Sequence, residues 1–215
     1  MLVIGAKGHA KEVLEIFYQK RELESLYFFD DMNPELPDFI FTNFKLLKSI
    51  DAAKELFIKD SNFVLGLGNP LIRYKLSQKF LAVGGILSSI ISPFAHIGHY
   101  DVILGRGVDV MTNVIITNSV NIGEGTLLNR NVNVSHDVVI GKYCELAPSV
   151  NISGNCTIGN FCNFGTGAVV LPKITIGDNV IVGAGAVVTE NIANNSLVVG
   201  VPAKVIKKLD PLNFE

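Results

Sequence analysis

The apolar positions of this chain follow two different rules. Up to about residue 90 they come in short runs divided by amphipathic stretches. Leu2, Val3 and Ile4 form a continuous apolar run, the mark of a short buried strand. After Gly5-Ala6-Lys7-Gly8-His9, residues Val13, Leu14, Ile16 and Phe17 recur at helical spacing, with Lys11, Glu12, Glu15 and Lys20 on the other side. Tyr27-Phe28-Phe29 predicts a second strand that ends at Asp30 and Asp31. Phe63-Val64-Leu65 predicts a third, running into Gly66-Leu67-Gly68-Asn69. Asn69 is a good helix cap and Pro70 suits the first helical position, so a helix is expected to about Leu81. Ile86 to Ile91 reads as a further strand. Strands alternating with helices predict a small parallel, Rossmann-like sheet.

From residue 104 the rule becomes a period of six. Positions 104 to 188, taken in steps of six, hold Leu, Val, Ile, Ile, Leu, Val, Ile, Leu, Ile, Ile, Phe, Val, Ile, Val and Val. The residue four places after each is small or β-branched in nearly every case, and Gly often follows the first position, as at Gly105, Gly123, Gly141, Gly159, Gly177 and Gly183. An amphipathic strand would repeat every two residues and a helix every 3.6. Period six with two inward positions describes a short strand, a corner and another short strand. Such a chain coils into a prism whose sides are one hexad long. With three sides a coil takes eighteen residues, and the fifteen hexads make five coils, roughly 24 Å of stacked strands. Cys144, Cys156 and Cys162 all fall on the inward small-residue position, where buried thiols act as small hydrophobes.

Composition marks the same division. Residues 1–90 carry 22 charged side chains and 4 asparagines, and residues 91–200 carry 11 and 14. Asn and Gly tolerate tight turns and left-handed backbone, as a chain of corners requires. A domain of residues 1–90 followed by a β-helix with a C-terminal tail over 91–215 is the simplest account, with the boundary near Ser88–Pro93. The net charge of −2 gives no reason to expect a nucleic-acid or membrane partner. The opening MLVIGA is too short for a signal-peptide core and no run approaches ~18 apolar residues, so a cytoplasmic protein is expected.

The hexads, with the ending Val199-Gly200-Val201-Pro202-Ala203-Lys204, resemble the left-handed β-helix acyltransferases. Generic crossover rules favour the other hand, so the left hand is what the resemblance implies. The opening strand with Gly5 to Lys11, together with Phe29-Asp30-Asp31, Gly66-Leu67-Gly68-Asn69 with Arg73, and Leu128-Asn129 through Ser135-His136-Asp137 to Gly141, is similar to the sugar acyltransferases of the sialic-acid O-acetyltransferase group. That group includes N-acetyltransferases of nucleotide-linked 4-amino-sugars. The resemblance implies an acetyl-CoA-dependent N-acetyltransferase, with sugar O-acetylation as the alternative. It also implies a homotrimer with acyl-CoA in the grooves between subunits, a nucleotide sugar as small-molecule partner, and no metal.

Of the four histidines, only His136 lies deep in the repeat. It sits two residues after inward Val134, near a corner, so its ring is free to point outwards. Acyl transfer from a thioester needs one general base near neutral pKa, which His supplies. By the resemblance Asp137 orients the imidazole and Asn129 positions the His or the substrate amine. Gly154, eighteen residues on from His136, stacks above it and offers a backbone N–H to the oxyanion. Glu145, Thr166, Ala184 and Lys204 match positions along the coenzyme A groove. Lys173, Lys207 and Lys208 are read as surface lysines first and phosphate contacts second. In the first domain Lys7, Gly8 and His9 form a strand-to-helix turn suited to a diphosphate, and by the resemblance Asp30, Asp31 and Gly68 complete a nucleotide-sugar site.

Three other readings compete. An NAD-binding regulator or dehydrogenase rests on the first domain alone and leaves the hexads unexplained, as a non-catalytic scaffold leaves the His block. A zinc hydratase on a similar prism needs three converging histidines, whereas His96 and His99 are expected to precede the regular coils.

Overall fold

A computed structural model describes residues 1–214. The opening apolar run is β1 (Leu2–Ile4), and the amphipathic stretch is α1 (Gly8–Lys20), which buries Ala10, Val13, Ile16 and Phe17. β2 (Tyr27–Phe29) follows. Next come three elements the pattern did not signal: the hairpin strands β3 (Phe39–Ile40) and β4 (Phe44–Leu47), and α2 (Ile50–Phe57), where the Ala52 N–H donates to Ser49 Oγ at 3.3 Å. Strands of two and four residues and a two-turn helix are too short for a periodicity to stand out. β5 (Asn62–Leu65) leads to α3 (Pro70–Leu81), capped as expected by Asn69 Oδ1, which accepts the Ile72 N–H at 3.1 Å. β6 (Ile86–Leu87) closes a sheet of order β3-β4-β2-β1-β5-β6, parallel except at the β3–β4 hairpin.

The strand expected over Ile86 to Ile91 is two strands. β6 pairs with β5, whereas Ile90–Ile91 pairs with Asp109–Val110 in the second body. The chain passes from one sheet to the other across Ser88 and Ser89.

The second body is a left-handed parallel β-helix of three sides. The first side stacks strands from Ile90–Ile91 up to Ser196–Val199. The second runs from His96–Ile97 to Val187–Val188, and the third from Val102–Leu104 to Thr175–Ile176. Partners lie eighteen residues apart, as in Leu127↔Glu145, Asn133↔Asn151 and Asn121↔Val139. The helix starts earlier than the hexads indicate. Asp109 pairs with Ile90 and Ile115 with His96, nineteen apart, while Ile103 pairs with Asn121 at eighteen. One extra residue therefore sits in the first coil between Ile97 and Ile103, and it hides that coil from the six-residue register. His96 is thus part of the coils, contrary to expectation.

All the inward positions are buried except Leu104, which is half-buried in the edge strand of the third side. Cys144, Cys156 and Cys162 are free thiols within that axis, and burial pushes Cys144 and Cys156 above the ordinary thiol range. The corners follow an equally strict rule: every sixth residue from Gly107 to Gly185 has positive φ. Asn or Gly fills most of these places, and Asp137 is one of them, with φ 57°.

Glycines along one corner have a steric reason. A Cβ on Gly141 would lie 2.6 Å from the carbonyl of Gly159 on the next coil. Gly141→Ala is therefore expected to destabilise the β-helix by about 1–3 kcal/mol, as overpacking does, read as a lowered urea midpoint.

The first domain seats on the first side. Its anchor is Arg73 of α3, wholly buried. Nε donates to Gly125 O (3.0 Å), and Nη1 to Leu67 O (2.7 Å), Leu65 O (3.2 Å) and Asp109 Oδ2 (3.0 Å). At one edge Tyr74 of α3 packs against Tyr143 and Phe161, and Phe214 of the tail returns to the same cluster. At the other edge Glu12 of α1 pairs with Arg130 at 3.1 Å.

Candidate active site

His136 stands at the corner between the second and third sides, 63% exposed at the side chain. Its Nδ1 lies 2.7 Å from Asp137 Oδ2. With Nδ1–H given to the carboxylate, Nε2 keeps its lone pair and faces outwards. Asp137 thus serves two ends: it takes the left-handed conformation that the corner needs, and it orients the ring.

Gly154 lies directly above on the next coil, and a Cβ there would fall 2.7 Å from His136 Cε1 and 2.8 Å from Nε2. Gly154→Ala is expected to displace the ring and lower kcat by about 10- to 100-fold, with the far-ultraviolet circular dichroism spectrum unchanged. An unchanged kcat would remove Gly154 from the site.

The remaining β-helix positions divide among other corners and sides. Pro172 and Glu190 continue the His136 line, and Lys204 joins it through an ion pair with Glu190 at 3.5 Å. Asn129, Thr166 and Ala184 belong instead to the corner between the first and second sides. Within one chain Asn129 is therefore not brought to His136; it is buried, and its Oδ1 accepts the Arg130 N–H at 2.8 Å. Thr166 and Ala184 are exposed. Glu145 is on neither corner. It faces the first domain from the first side, where Asn163 Nδ2 donates to its Oε2 at 3.0 Å and Gly68 lies against Oε1.

In the first domain the C-terminal ends of β1, β2 and β5 border a recess of about 160 Å³, lined by Gly5, Phe29, Asp30, Asp31, Asn33 and Leu67 among others. Open parallel sheets bind ligands at this end. Asp30 organises the recess: its Oδ1 accepts the N–H groups of Met32 and Asn33, both at 3.1 Å. Asp31 pairs with Lys79 at 2.7 Å, and Lys7 bonds Asn33 and Glu35. Gly8 opens α1 and is exposed.

His9 does something else. Its ring turns into the domain junction, with Nδ1 3.2 Å from Glu12 Oε2 and Nε2 3.7 Å from Asp109 Oδ2. Burial pulls its pKa down, but the Asp109 and Glu12 carboxylates together outweigh burial and hold it above the ordinary value. Sequence reasoning also gave Arg73 only as part of a motif and left Asp109 out. A charged residue at an outward hexad position of an early coil was the only signal.

No group of three or more His, Cys, Asp or Glu among the described residues could hold a metal ion, and no described helix is long and apolar enough to cross a membrane.

Residues 1–80 match the family described as PglD N-terminal domain, and residues 155–190 match the bacterial transferase hexapeptide repeats. PerB from Caulobacter crescentus, solved in complex with CoA and GDP-perosamine, is 32% identical, with a TM-score of 0.87 over 96% of each chain. WeeI from Acinetobacter baumannii is 29% identical (TM-score 0.85, 95% of this chain and 98% of that one). The acetyltransferase domain of PglB from Neisseria gonorrhoeae is 28% identical (TM-score 0.84, with the same coverage). The chain belongs to the hexapeptide-repeat acetyltransferases. No curated protein matches the sequence. Perosamine N-acetyltransferase is also solved as variants with one histidine replaced by asparagine or alanine. In this acetyltransferase the histidine set on a corner of the regular coils with an adjoining carboxylate is His136.

Proposed function

We propose that this protein transfers the acetyl group of acetyl-CoA to the amino group of a nucleotide-linked 4-amino-sugar, by direct attack with His136 as general base. The observation that carries this is the exposed His136 imidazole, tied to Asp137 and set against Gly154. The three cysteines are buried in the axis, so none offers a nucleophile beside it. As the amine nitrogen attacks the thioester carbon, its proton passes to Nε2 and the C–N bond forms. The oxyanion is assigned to the backbone of Gly154. Collapse breaks the C–S bond, and the sulfur leaves with the proton from His136.

The acceptor fits the first domain. The recess at Asp30 and Asp31, with Lys7 and Gly8 at the start of α1, suits a nucleoside diphosphate. The complex of PerB with CoA and GDP-perosamine supports that choice. The arrangement of corners argues for sharing between copies. The first domain covers the first side, and His136 occupies the opposite corner, so an acceptor held there faces a neighbour's His136. Lys204 lies on the His136 corner and Asn129, Thr166 and Ala184 on another. Two chains of a homotrimer, each offering one corner, would form the acetyl-CoA groove.

The test is thiol release from acetyl-CoA against UDP-, GDP- and dTDP-linked 4-amino-sugars. Release with one of them is expected. Release only with hydroxy sugars would replace N- by O-acetylation, and release with none would end the proposal. Light scattering at the assay concentration checks the shared groove, which a monomer would exclude.

A further inference from the structure

Glu145 has no part in the steps above. It stands in the outward column Asp109, Leu127, Glu145, Asn163, Ile181 of the first side. The first domain covers Asp109 and Leu127 completely, whereas Ile181 is 38% exposed. Glu145 is half-buried where that cover ends. What meets it there is Gly68: a side chain on that residue would begin on the Glu145 carboxyl. Gly68 belongs to the loop after β5, at the sheet end where a nucleotide sugar would lie. The column therefore delivers one carboxylate from the β-helix to Gly68, the residue next to Leu67 of the recess lining. Asn129, whose N–H donates to Leu146 O, lies one coil below on the adjoining corner.

The carboxylate is set for a cation it does not have. Among the described residues it forms no ion pair, and only Asn163 Nδ2 bonds its side chain. The nearby cations are committed elsewhere, Arg73 to Asp109 and His9 to Glu12 and Asp109. Burial holds the carboxyl above its ordinary pKa, with Arg73 and His9 opposing this only in part. A half-buried carboxylate gains most from a partner that brings positive charge and several N–H donors.

We propose that Glu145 recognises the acceptor amino group, receiving it as an ammonium where the sugar leaves the first domain, and so selects amino sugars over their hydroxyl counterparts; the ammonium gives one proton to solvent before its nitrogen attacks, and the next passes to His136. This rests on the acetyl-transfer function proposed above. A primary aliphatic amine carries a proton at neutral pH, as the α-amino and lysine amino groups do. A hydroxyl in the same place brings no charge and one donor.

The experiment uses the full chain, with the UDP-, GDP- and dTDP-linked 4-amino-sugars as substrates and each 4-hydroxy counterpart as inhibitor. For the amino sugar that the unaltered protein acetylates best, Glu145→Gln is expected to raise the acceptor KM by about 10- to 100-fold. The acetyl-CoA KM and the hydroxy sugar's inhibition constant are expected to hold within about twofold, because neither ligand meets the carboxylate as a cation. Asn163→Leu, which removes the hydrogen bond that holds Oε2 in place and favours the charged form, should raise the acceptor KM in the same way but less, and it stands in if Glu145→Gln fails to fold. A rise in the acetyl-CoA KM alone would return Glu145 to the coenzyme A groove. An equal loss of amino and hydroxy sugar would make it a structural residue. If the unaltered protein acetylates none of the amino sugars, the acetyl-transfer function itself fails and this assignment falls with it.

Discussion

His136→Ala lowers kcat by at least ~10²-fold while the KM for acetyl-CoA changes little, the range expected when a general base is lost. The imidazole is exposed and supports no buried contact, so its removal leaves the coils intact. Its ring sits beneath Gly154 and its Nδ1 bonds Asp137, and neither neighbour puts a second base at the outward Nε2 position. The residual rate then reports what positioning and the oxyanion donor achieve alone. Thiol-release kinetics measure it, and near-normal turnover would remove His136 from the mechanism. Asp137→Asn is the matching control. Asn occupies the same left-handed corner position at Asn113, Asn131, Asn155 and Asn179, so the fold tolerates it. Only the charge is lost, and because Asp137 is 55% exposed the fall in kcat should be at most about tenfold.

Arg73→Met separates the two bodies. The guanidinium is wholly buried, holds the carbonyls of Leu65 at the end of β5 and of Leu67 in the loop after it, and reaches Asp109 and Gly125 on the β-helix. Removing it leaves Asp109 buried and unpaired apart from the long approach of His9. Loss of one partner of a buried pair typically costs about 3–5 kcal/mol. Urea unfolding followed at the two bodies should therefore show the first domain melting earlier, with the β-helix transition nearly unmoved. Adding Asp109→Leu to Arg73→Met should recover part of the loss, because the stranded charge goes. A double variant no better than the single would mean that the carbonyl bonds, not the ion pair, hold the junction. In either case the loop carrying Gly66–Gly68 loses its register on the β-helix, so acceptor binding should weaken with it.

The parts that could be read in the chain are those whose physics repeats locally. Inward positions at Val110, Ile116, Ile122 and onwards are set by a six-residue cycle, and a buried ladder of that length coils into a prism, whose left hand came from the resemblance. The stacking of Gly154 on His136 followed from an eighteen-residue coil alone. The same arithmetic puts Thr166 and Ala184 in one phase and His136 in another, so their separation was present in the numbering although not drawn from it. The hairpin at Phe39–Leu47 was missed because Thr42, Asn43 and Lys45 break its apolar run, and the helix Ile50–Phe57 because it is shorter than the window in which a period shows. The first coil was missed because one inserted residue breaks its register.

His9 marks the boundary between the two kinds of knowledge. Its place at the turn before α1 suggested a diphosphate contact, yet the ring turns to Asp109, one hundred residues away in sequence. No local pattern encodes such a pair, nor Arg73 with Asp109, nor Gly68 with Glu145. The sequence by itself determined the coiled scaffold and the place of His136 on one of its corners, because repeat period and residue type act over a few residues. Only the tertiary structure decided which side of the prism the first domain covers, and so that Gly68 meets Glu145 while the His136 corner stays open. Those choices depend on complementary charge and shape between surfaces that the chain brings together only by folding.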